Sequence, residues 1–276
     1  MKVAAIQMVS GPDVAHNLAR ARHWMNEAAA QGAELVALPE YFCLMGSADT
    51  DKLAVAEPLE AKPSPLSAPI QAALSQSAAE LGLWVVGGTL PLRGADASHV
   101  RNACCVYAPD GQLAARYDKI HLFRFDNGRE QYDEGRVLEA GSEPVTVQAG
   151  ALKVGLSICY DLRFPELYRA MSFQPGQAAC ELFCVPAAFT YTTGEKHWEL
   201  LLRARAVENQ AYVIAPAQGG RHQNGRRTWG HSMIVDPWGE VLACLPEGEG
   251  LVLAEVDAQR LLDVRRQLPA LQHRKL

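Results

Sequence analysis

The sequence predicts an α/β fold, a four-layer αββα sandwich whose two similar halves each supply one sheet with helices on its outer face. Three observations predict it. Short apolar strand segments alternate with segments of helical periodicity. The chain also echoes itself. Lys2-Val3-Ala4-Ala5-Ile6 is matched by Lys153-Val154-Gly155-Leu156-Ser157. The stretch from Ala33-Glu34-Leu35 through Pro39 to Phe42 is matched by Cys180-Glu181-Leu182 through Pro186 to Phe189. Both run strand, helix, strand. Finally, 276 residues can bury a sizeable core without metal or disulfide staples. A single domain over 1–276 is expected.

The elements follow in order. Residues 2–9 read as a strand, stopped by Ser10-Gly11-Pro12. Asp13 can cap a helix whose Val14, Leu18, Ala21, Met25 and Ala28 share one face, and Gly32 ends it. A strand at 34–38 stops at Pro39. A Pro/Ser-rich loop at 61–68 leads to a helix with Ile70, Ala73, Leu74, Ala78 and Leu81 inward, then to a strand at 84–88. Residues 102–108 and 112–117 flank Pro109-Asp110-Gly111, a hairpin turn signal. Residues 120–143 are polar and glycine-punctuated and read as a long loop, the kind that usually serves function.

The second half restarts with a strand at 152–158. A helix begins at Pro165, a good first helical position. A strand at 182–185 stops at Pro186. The helix over 194–210 has Trp198, Leu201, Leu202 and Ala206 on one face. Strands at 211–216, 231–236, 240–244 and 250–256 follow, then a short helix, 257–265, and a basic tail.

Composition narrows the function. Hydrophobic residues make up 49% and charged residues 21%, values of a folded globular chain. Lys plus Arg number 26 against 31 Asp plus Glu, a net charge of −5, which lacks the footprint of a nucleic-acid binder. No apolar run approaches the ~20 residues of a spanning helix, and the N-terminus has no signal-peptide core. The 7 cysteines, at 43, 104, 105, 159, 180, 184 and 244, form no C-x-x-C pair and have no histidine pair at zinc spacing. That pattern points to free thiols in a reducing cytoplasm, not to disulfides or structural zinc. The pairs Gly87-Gly88 and Gly219-Gly220 lack the partners of a phosphate loop. No cofactor, metal or nucleotide is expected.

Three positions stand out chemically. Cys159 follows an apolar strand and precedes a helix, a corner that exposes a side chain and aims backbone N–H groups at it. Glu40 ends the apolar run Leu35-Val36-Ala37-Leu38-Pro39. Lys119 sits among Tyr117, Ile120, Leu122 and Phe123, an unusual setting for a lysine. Each has a bland reading: a buried thiol, a loop carboxylate, a lysine paired with Asp118. The histidines His121, His197, His222 and His231 are all candidates for a base, and none is singled out.

Together these positions resemble a known family. Leu38-Pro39-Glu40, Asp118-Lys119-Ile120-His121-Leu122 and Cys159-Tyr160-Asp161-Leu162-Arg163-Phe164-Pro165-Glu166 resemble the three signature segments of the nitrilase-like carbon–nitrogen hydrolases, in the same order. The resemblance runs from Met1 to the tail and includes Phe189-Thr190, Thr193-Gly194, His197-Trp198, Gly230-His231-Ser232-Met233 and Asp236-Pro237-Trp238-Gly239. It implies the αββα fold and a Glu-Lys-Cys triad. Cys159 would attack an amide carbonyl and Glu40 would carry the proton. Lys119 and the Tyr160 N–H would stabilise the oxyanion, and water would hydrolyse the resulting thioester. The family's second glutamate, after the lysine, matches Glu134 best, with Glu130 the competitor. Many relatives carry Asp where this chain has Arg124, so substrate contacts of that loop do not transfer.

Within the family, 189–205 and 231–239 look most like the branch that hydrolyses deaminated glutathione to 2-oxoglutarate and a dipeptide. The neighbouring ω-amidase branch acts on 2-oxoglutaramate and succinamate. These substrates carry a carboxylate, so a pocket arginine is expected, Arg163 first. Arg203 and Arg205 read as helix-face ion pairs with Glu199 and Glu208. Thr190, Thr193, His197 and Trp198 are candidate pocket residues. True nitrile hydrolysis, cleavage of an N-carbamoyl amino acid and a non-enzymatic module are the alternatives. The expected partners are a small-molecule amide and a second copy of the chain, with the tail at about 266–276 docked on it. Nucleic acid and membrane are not expected.

Overall fold

The computed structural model describes residues 1–174 and 176–275. In chain order the first half holds β1 (Lys2–Gln7), α1 (Val14–Ala30), β2 (Leu35–Ala37), α2 (Asp51–Ala54), α3 (Pro69–Leu81), β3 (Trp84–Val86), β4 (Leu90–Arg93), β5 (Val100–Tyr107) and β6 (Leu113–Asp118). A small hairpin follows, β7 (Arg124–Asp126) and β8 (Gln131–Asp133). The second half holds β9 (Val145–Ala149), β10 (Leu152–Leu156), α4 (Pro165–Ser172), β11 (Leu182–Cys184), α5 (Tyr191–Asn209), β12 (Tyr212–Ala215), β13 (Ser232–Val235), β14 (Val241–Leu245), β15 (Gly250–Glu255) and α6 (Ala258–Gln267).

The two large sheets have matching strand orders. One runs β15-β1-β2-β3-β5-β4, with β6 paired to β5; the other runs β9-β10-β11-β12-β13-β14 when read from its first strand. In each, three parallel strands are flanked by antiparallel ones. The sequence echo is a structural echo, residue for residue. Val3 pairs with Leu35, and Val154 with Leu182. The Glu34 carboxylate accepts from the Lys2 backbone N–H, and the Glu181 carboxylate from that of Lys153, both at 2.9 Å.

Strand alternation distributes the core. Val3 and Ala5, Leu35 and Ala37, and Cys104 and Val106 face the other sheet. Ala4 and Ile6, Val36 and Leu38, and Ala103 and Cys105 face α1 and α3. The second sheet is covered on its outer side by α4 and α5 through Leu167, Tyr168, Met171, Trp198 and Leu202. Gly155 shows why a glycine stands in that strand. A Cβ there would lie 2.5 Å from the ring of its cross-strand neighbour Phe183, which packs on Tyr168. The layers are therefore α, β, β, α.

Some elements differ from the sequence reading. The loop at 120–143 contains the β7–β8 hairpin and a 3₁₀ turn at Glu134–Arg136. The edge strands β4 and β9 were not anticipated; β4 is four residues long and contains Pro91, which sequence patterns read as a break. Helix α5 starts three residues early because the Thr190 hydroxyl accepts from the Thr193 N–H and caps it. Tail residues lie against their own chain. Gln210 donates to the Leu268 carbonyl, and the Arg274 guanidinium sits 4.5 Å from the Phe173 ring. Leu276 lies outside the described residues. Among the described residues no helix is long and apolar enough to cross a membrane.

Candidate active site

The C-terminal ends of β2, β10 and β11 meet at one edge of the sandwich, with the segment after β6 beside them. Cys159 opens the 3₁₀ turn Cys159–Arg163 after β10, with φ +49°, in the left-handed region. That conformation costs an L-residue roughly 1–2 kcal/mol, so its surroundings must hold it. They do. The Cys159 N–H donates to the Pro186 carbonyl at 2.9 Å. Fully buried Asp161 accepts from the Ile158 N–H (2.9 Å), the Tyr117 hydroxyl (2.7 Å) and the His121 N–H (3.0 Å), and lies 2.7 Å from His121 Nδ1. This carboxylate ties the cysteine turn to the segment that carries Lys119. From the other side, Arg205 donates to the Leu162 carbonyl at 2.9 Å.

Glu40 is 1% exposed. Its Oε1 accepts from Asn102 Nδ2 and from Lys119 Nζ, both at 2.9 Å; its Oε2 accepts from the Ala188 N–H at 2.9 Å. Tyr41, next in the chain, has φ +57° and donates its N–H to the Thr89 hydroxyl. Gly88 makes room for this corner: a Cβ there would lie 2.2 Å from the Pro39 carbonyl oxygen. Cys159 and the residue after Glu40 are therefore both in strained backbone, a feature that clusters at functional sites.

Lys119 Nζ also contacts both oxygens of Glu134, at 3.0 and 2.8 Å. Glu134 further accepts from the Tyr41 hydroxyl and the Phe123 N–H, both at 2.7 Å. Glu130, four residues earlier, instead accepts from the Thr192 hydroxyl. Burial opposes the charge on Lys119, but Glu134 and Glu40 outweigh it and raise its pKa above the ordinary lysine value. Burial likewise opposes ionisation of Glu134, and Lys119, the Phe123 N–H and Tyr41 more than compensate, so its pKa is lowered. Lys119 and Glu134 thus hold each other in their charged forms. Burial and the nearby Glu40 push the Cys159 thiol well above its usual pKa, with Lys119 opposing. The free site holds a neutral thiol beside Glu40.

Glu40, Cys159, Tyr160, Arg163, Thr190 and Thr193 share a pocket of about 280 Å³. Glu134 and Phe123 line it too. The Lys119 side chain has no exposed surface and stands behind the carboxylates. The Arg163 guanidinium sits 5.7 Å from the Tyr160 ring and 5.3 Å from the Phe189 ring. His197 does not line the pocket; it is exposed and reaches it only through Arg163 Nη1, 3.2 Å away. Trp198 is buried and donates to the His231 carbonyl. His222 and His231 hydrogen-bond elsewhere. Arg203 and Arg205 make the expected ion pairs with Glu199 and Glu208.

Sequence reasoning missed Asn102 and Arg226. Asn102 stands near the start of β5, where a polar residue in an apolar strand was the available signal. Arg226 lines the pocket, donates to the Ala188 carbonyl at 3.0 Å and has a buried Nε with no partner. It comes from a loop with arginines at 221, 226 and 227, and nothing local distinguishes it. Among the described residues no cluster of three His, Cys, Asp or Glu side chains could hold a metal ion.

A family model described as carbon-nitrogen hydrolase matches residues 2–266. A deaminated glutathione amidase of Synechocystis sp. is 42% identical over 275 residues, spanning 98% of this chain and 97% of that protein. An omega-amidase of Homo sapiens is 37% identical over 276 residues, spanning 99% and 95%. Among solved structures, that of the C. elegans NitFhit protein superposes with a TM-score of 0.89 at 35% identity; the match covers 99% of this chain and 65% of the length of that one. The chain belongs to the carbon–nitrogen hydrolase family.

Proposed function

We propose that the chain is an amidase that hydrolyses a small carboxylate-bearing amide through a thioester on Cys159, with deaminated glutathione as substrate and 2-oxoglutarate and cysteinylglycine as products. The observation that carries this reading is the Glu40–Lys119–Glu134 network beside a strained strand-end cysteine. Full-length similarity to a deaminated glutathione amidase supports the substrate.

The chemistry follows from the protonation states. The thiol is neutral at rest, so attack couples to proton transfer: Cys159 Sγ bonds to the amide carbon as Glu40 takes its proton. The carbonyl π pair moves to oxygen. The Lys119 ammonium already has three carboxylate oxygens as acceptors for its three protons. It therefore stabilises the oxyanion as a fixed charge, or by redirecting one bond from Glu134, alongside the Tyr160 N–H. Glu40 then protonates the leaving nitrogen, the C–N bond breaks, and the thioester remains. A water deprotonated by Glu40 attacks it and the thiol is regenerated. Glu134 keeps Lys119 charged and in place. Arg163 holds the acyl half's carboxylate, with Thr190 and Thr193 lining the same wall; His197 orients Arg163.

The test is a panel of deaminated glutathione, 2-oxoglutaramate, an N-carbamoyl amino acid and a simple nitrile. The reading predicts the highest kcat/KM for deaminated glutathione, with 2-oxoglutaramate second. Preference for the N-carbamoyl compound or the nitrile would overturn it.

Three further expectations belong to this reading. The chain acts as one domain, since one core cluster is shared by residues of both sheets. It works in the cytoplasm, supported by seven free cysteines, six of them buried. It forms a homodimer or larger assembly through α4 and the tail at about 266–276; Glu166 and Arg169 of α4 and Leu268, Ala270, His273 and Arg274 of the tail line an open surface groove. Light scattering showing only a 30.0 kDa species would contradict the last.

A further inference from the structure

The inner pocket, walled by Glu40, Cys159, Arg163 and Thr190, is narrow. It suits an acyl half. The amine half of a dipeptide amide needs roughly 7 Å more, at ~3.5 Å per extended residue. A wider, open chamber adjoins, lined by Tyr41, Asp49, Lys52, Tyr132 and Arg226. Arg226 is a wall of both cavities, with its guanidinium 5.2 Å from the Tyr132 ring. Tyr41 joins them again through its hydroxyl on Glu134.

The cations of this chamber are underused. The Lys52 side chain is 15% exposed, and its ammonium lies 4.8 Å from the Tyr41 ring centroid. Among the described residues the one carboxylate within 4 Å is Asp49, at 3.6 Å and 71% exposed. Arg226 makes no ion pair among the described residues, and its Nε is buried without a partner. A mostly desolvated ammonium beside an unpaired guanidinium is a site for an anion.

We propose that Lys52 and Arg226 form a second carboxylate subsite, outside the reacting centre, that binds the C-terminal carboxylate of the substrate's amine half. The inference rests on the amidase reading above and adds a distinct claim: selectivity for a leaving group that is itself an anion. Lys52 supplies the charge, Arg226 orients the carboxylate at the junction of the two cavities, and Asp49 is a weak competitor that the substrate displaces. A substrate whose leaving group is ammonia leaves this subsite empty, so the subsite predicts a preference for the dipeptide amide over 2-oxoglutaramate.

The experiment compares two amides of the same 2-oxo acid, one releasing cysteinylglycine and the other its neutral C-terminal amide, with 2-oxoglutaramate alongside. The readout is the ratio of kcat/KM for the acid over the neutral leaving group. Measured within one enzyme preparation, it does not depend on the fraction folded. The wild type should favour the acid by about tenfold, the worth of one charge-assisted contact. Lys52→Met should reduce the ratio to within about twofold of one, and Lys52→Arg should keep most of it. Asp49→Asn, at an exposed position, should raise it. A wild-type ratio near one, or a ratio unmoved by Lys52→Met and Asp49→Asn, overturns the subsite while leaving the amidase reading intact. A wild type inactive on all three amides overturns that reading, and this inference with it.

Discussion

Removing the charge on Glu134 tests whether the buried ion cluster holds the site together. Glu134→Gln keeps the shape and one acceptor but leaves Lys119 with Glu40 alone. The side chain is 16% exposed and Lys119 fully buried, so this is an interior ion pair. Breaking one by truncating a single partner costs about 3–5 kcal/mol. At roughly 2 °C per kcal/mol for a chain of this size, the melting temperature should fall by about 6–10 °C. Lys119→Met should cost at least as much, because it strands two carboxylates. The double variant should be less damaged than the sum, with a coupling of about 2–3 kcal/mol. The pH dependence has a definite sign. The lowered pKa of Glu134 means its contribution is complete above the unfolded value of about 4.3 and is lost as pH falls through the folded value. The raised pKa of Lys119 means its contribution is complete below about 10.4 and is lost as pH rises through the folded value. The gap between wild type and Glu134→Gln should therefore be flat near neutrality and shrink below about pH 4.3. Calorimetry across pH on all four proteins measures this. Additive single effects, or a gap that widens in acid, would refute the reasoning.

Other outcomes follow from the same geometry. Cys159→Ala should melt within a few degrees of wild type yet lose at least ~10⁴ in turnover, about 5.4 kcal/mol at ~1.36 kcal/mol per tenfold; steady-state rates and a thermal melt check both. Glu40→Gln should bind substrate in a calorimeter with little loss but turn over almost as poorly, since the proton carrier is gone. Asp161→Asn should lower kcat at least tenfold with a smaller change in KM. The Ile158 and His121 N–H groups donate to opposite oxygens of Asp161, so either amide orientation sets an NH₂ against a donor. Unchanged kcat and melting for Asp161→Asn would show that the turn is held by other contacts.

The sandwich was legible because its physics is local. The short, continuously apolar and buried runs of β1 and β2 and the capped periodicity of α1 are written in adjacent residues, and the Lys2/Lys153 echo marks equivalent strands with the same register. Glu40 and Cys159 were legible as polar groups at the ends of apolar strands. The choice between Glu134 and Glu130 was not, because both lie in a glycine-punctuated loop. A tight turn, in which Asn127 donates to the Glu130 carbonyl, carries Glu130 toward Thr192 and returns the chain so that Glu134 meets Lys119. Arg226 and Lys52 were invisible for a related reason. Each becomes a pocket residue only when distant segments, 41–52 and 224–226, pack together, and a lone cation in a polar loop carries no periodic signal.

The central claim is a covalent acyl-enzyme on one particular thiol among seven. Wild-type protein mixed with the 2-oxo acid amide, quenched in acid within milliseconds and digested, should carry the acyl half of the substrate on the peptide containing Cys159. The adduct should be absent from Cys159→Ala and from the peptides of Cys43, Cys104, Cys105, Cys180, Cys184 and Cys244. Turnover with no adduct at Cys159, or an adduct on another cysteine, would contradict the account.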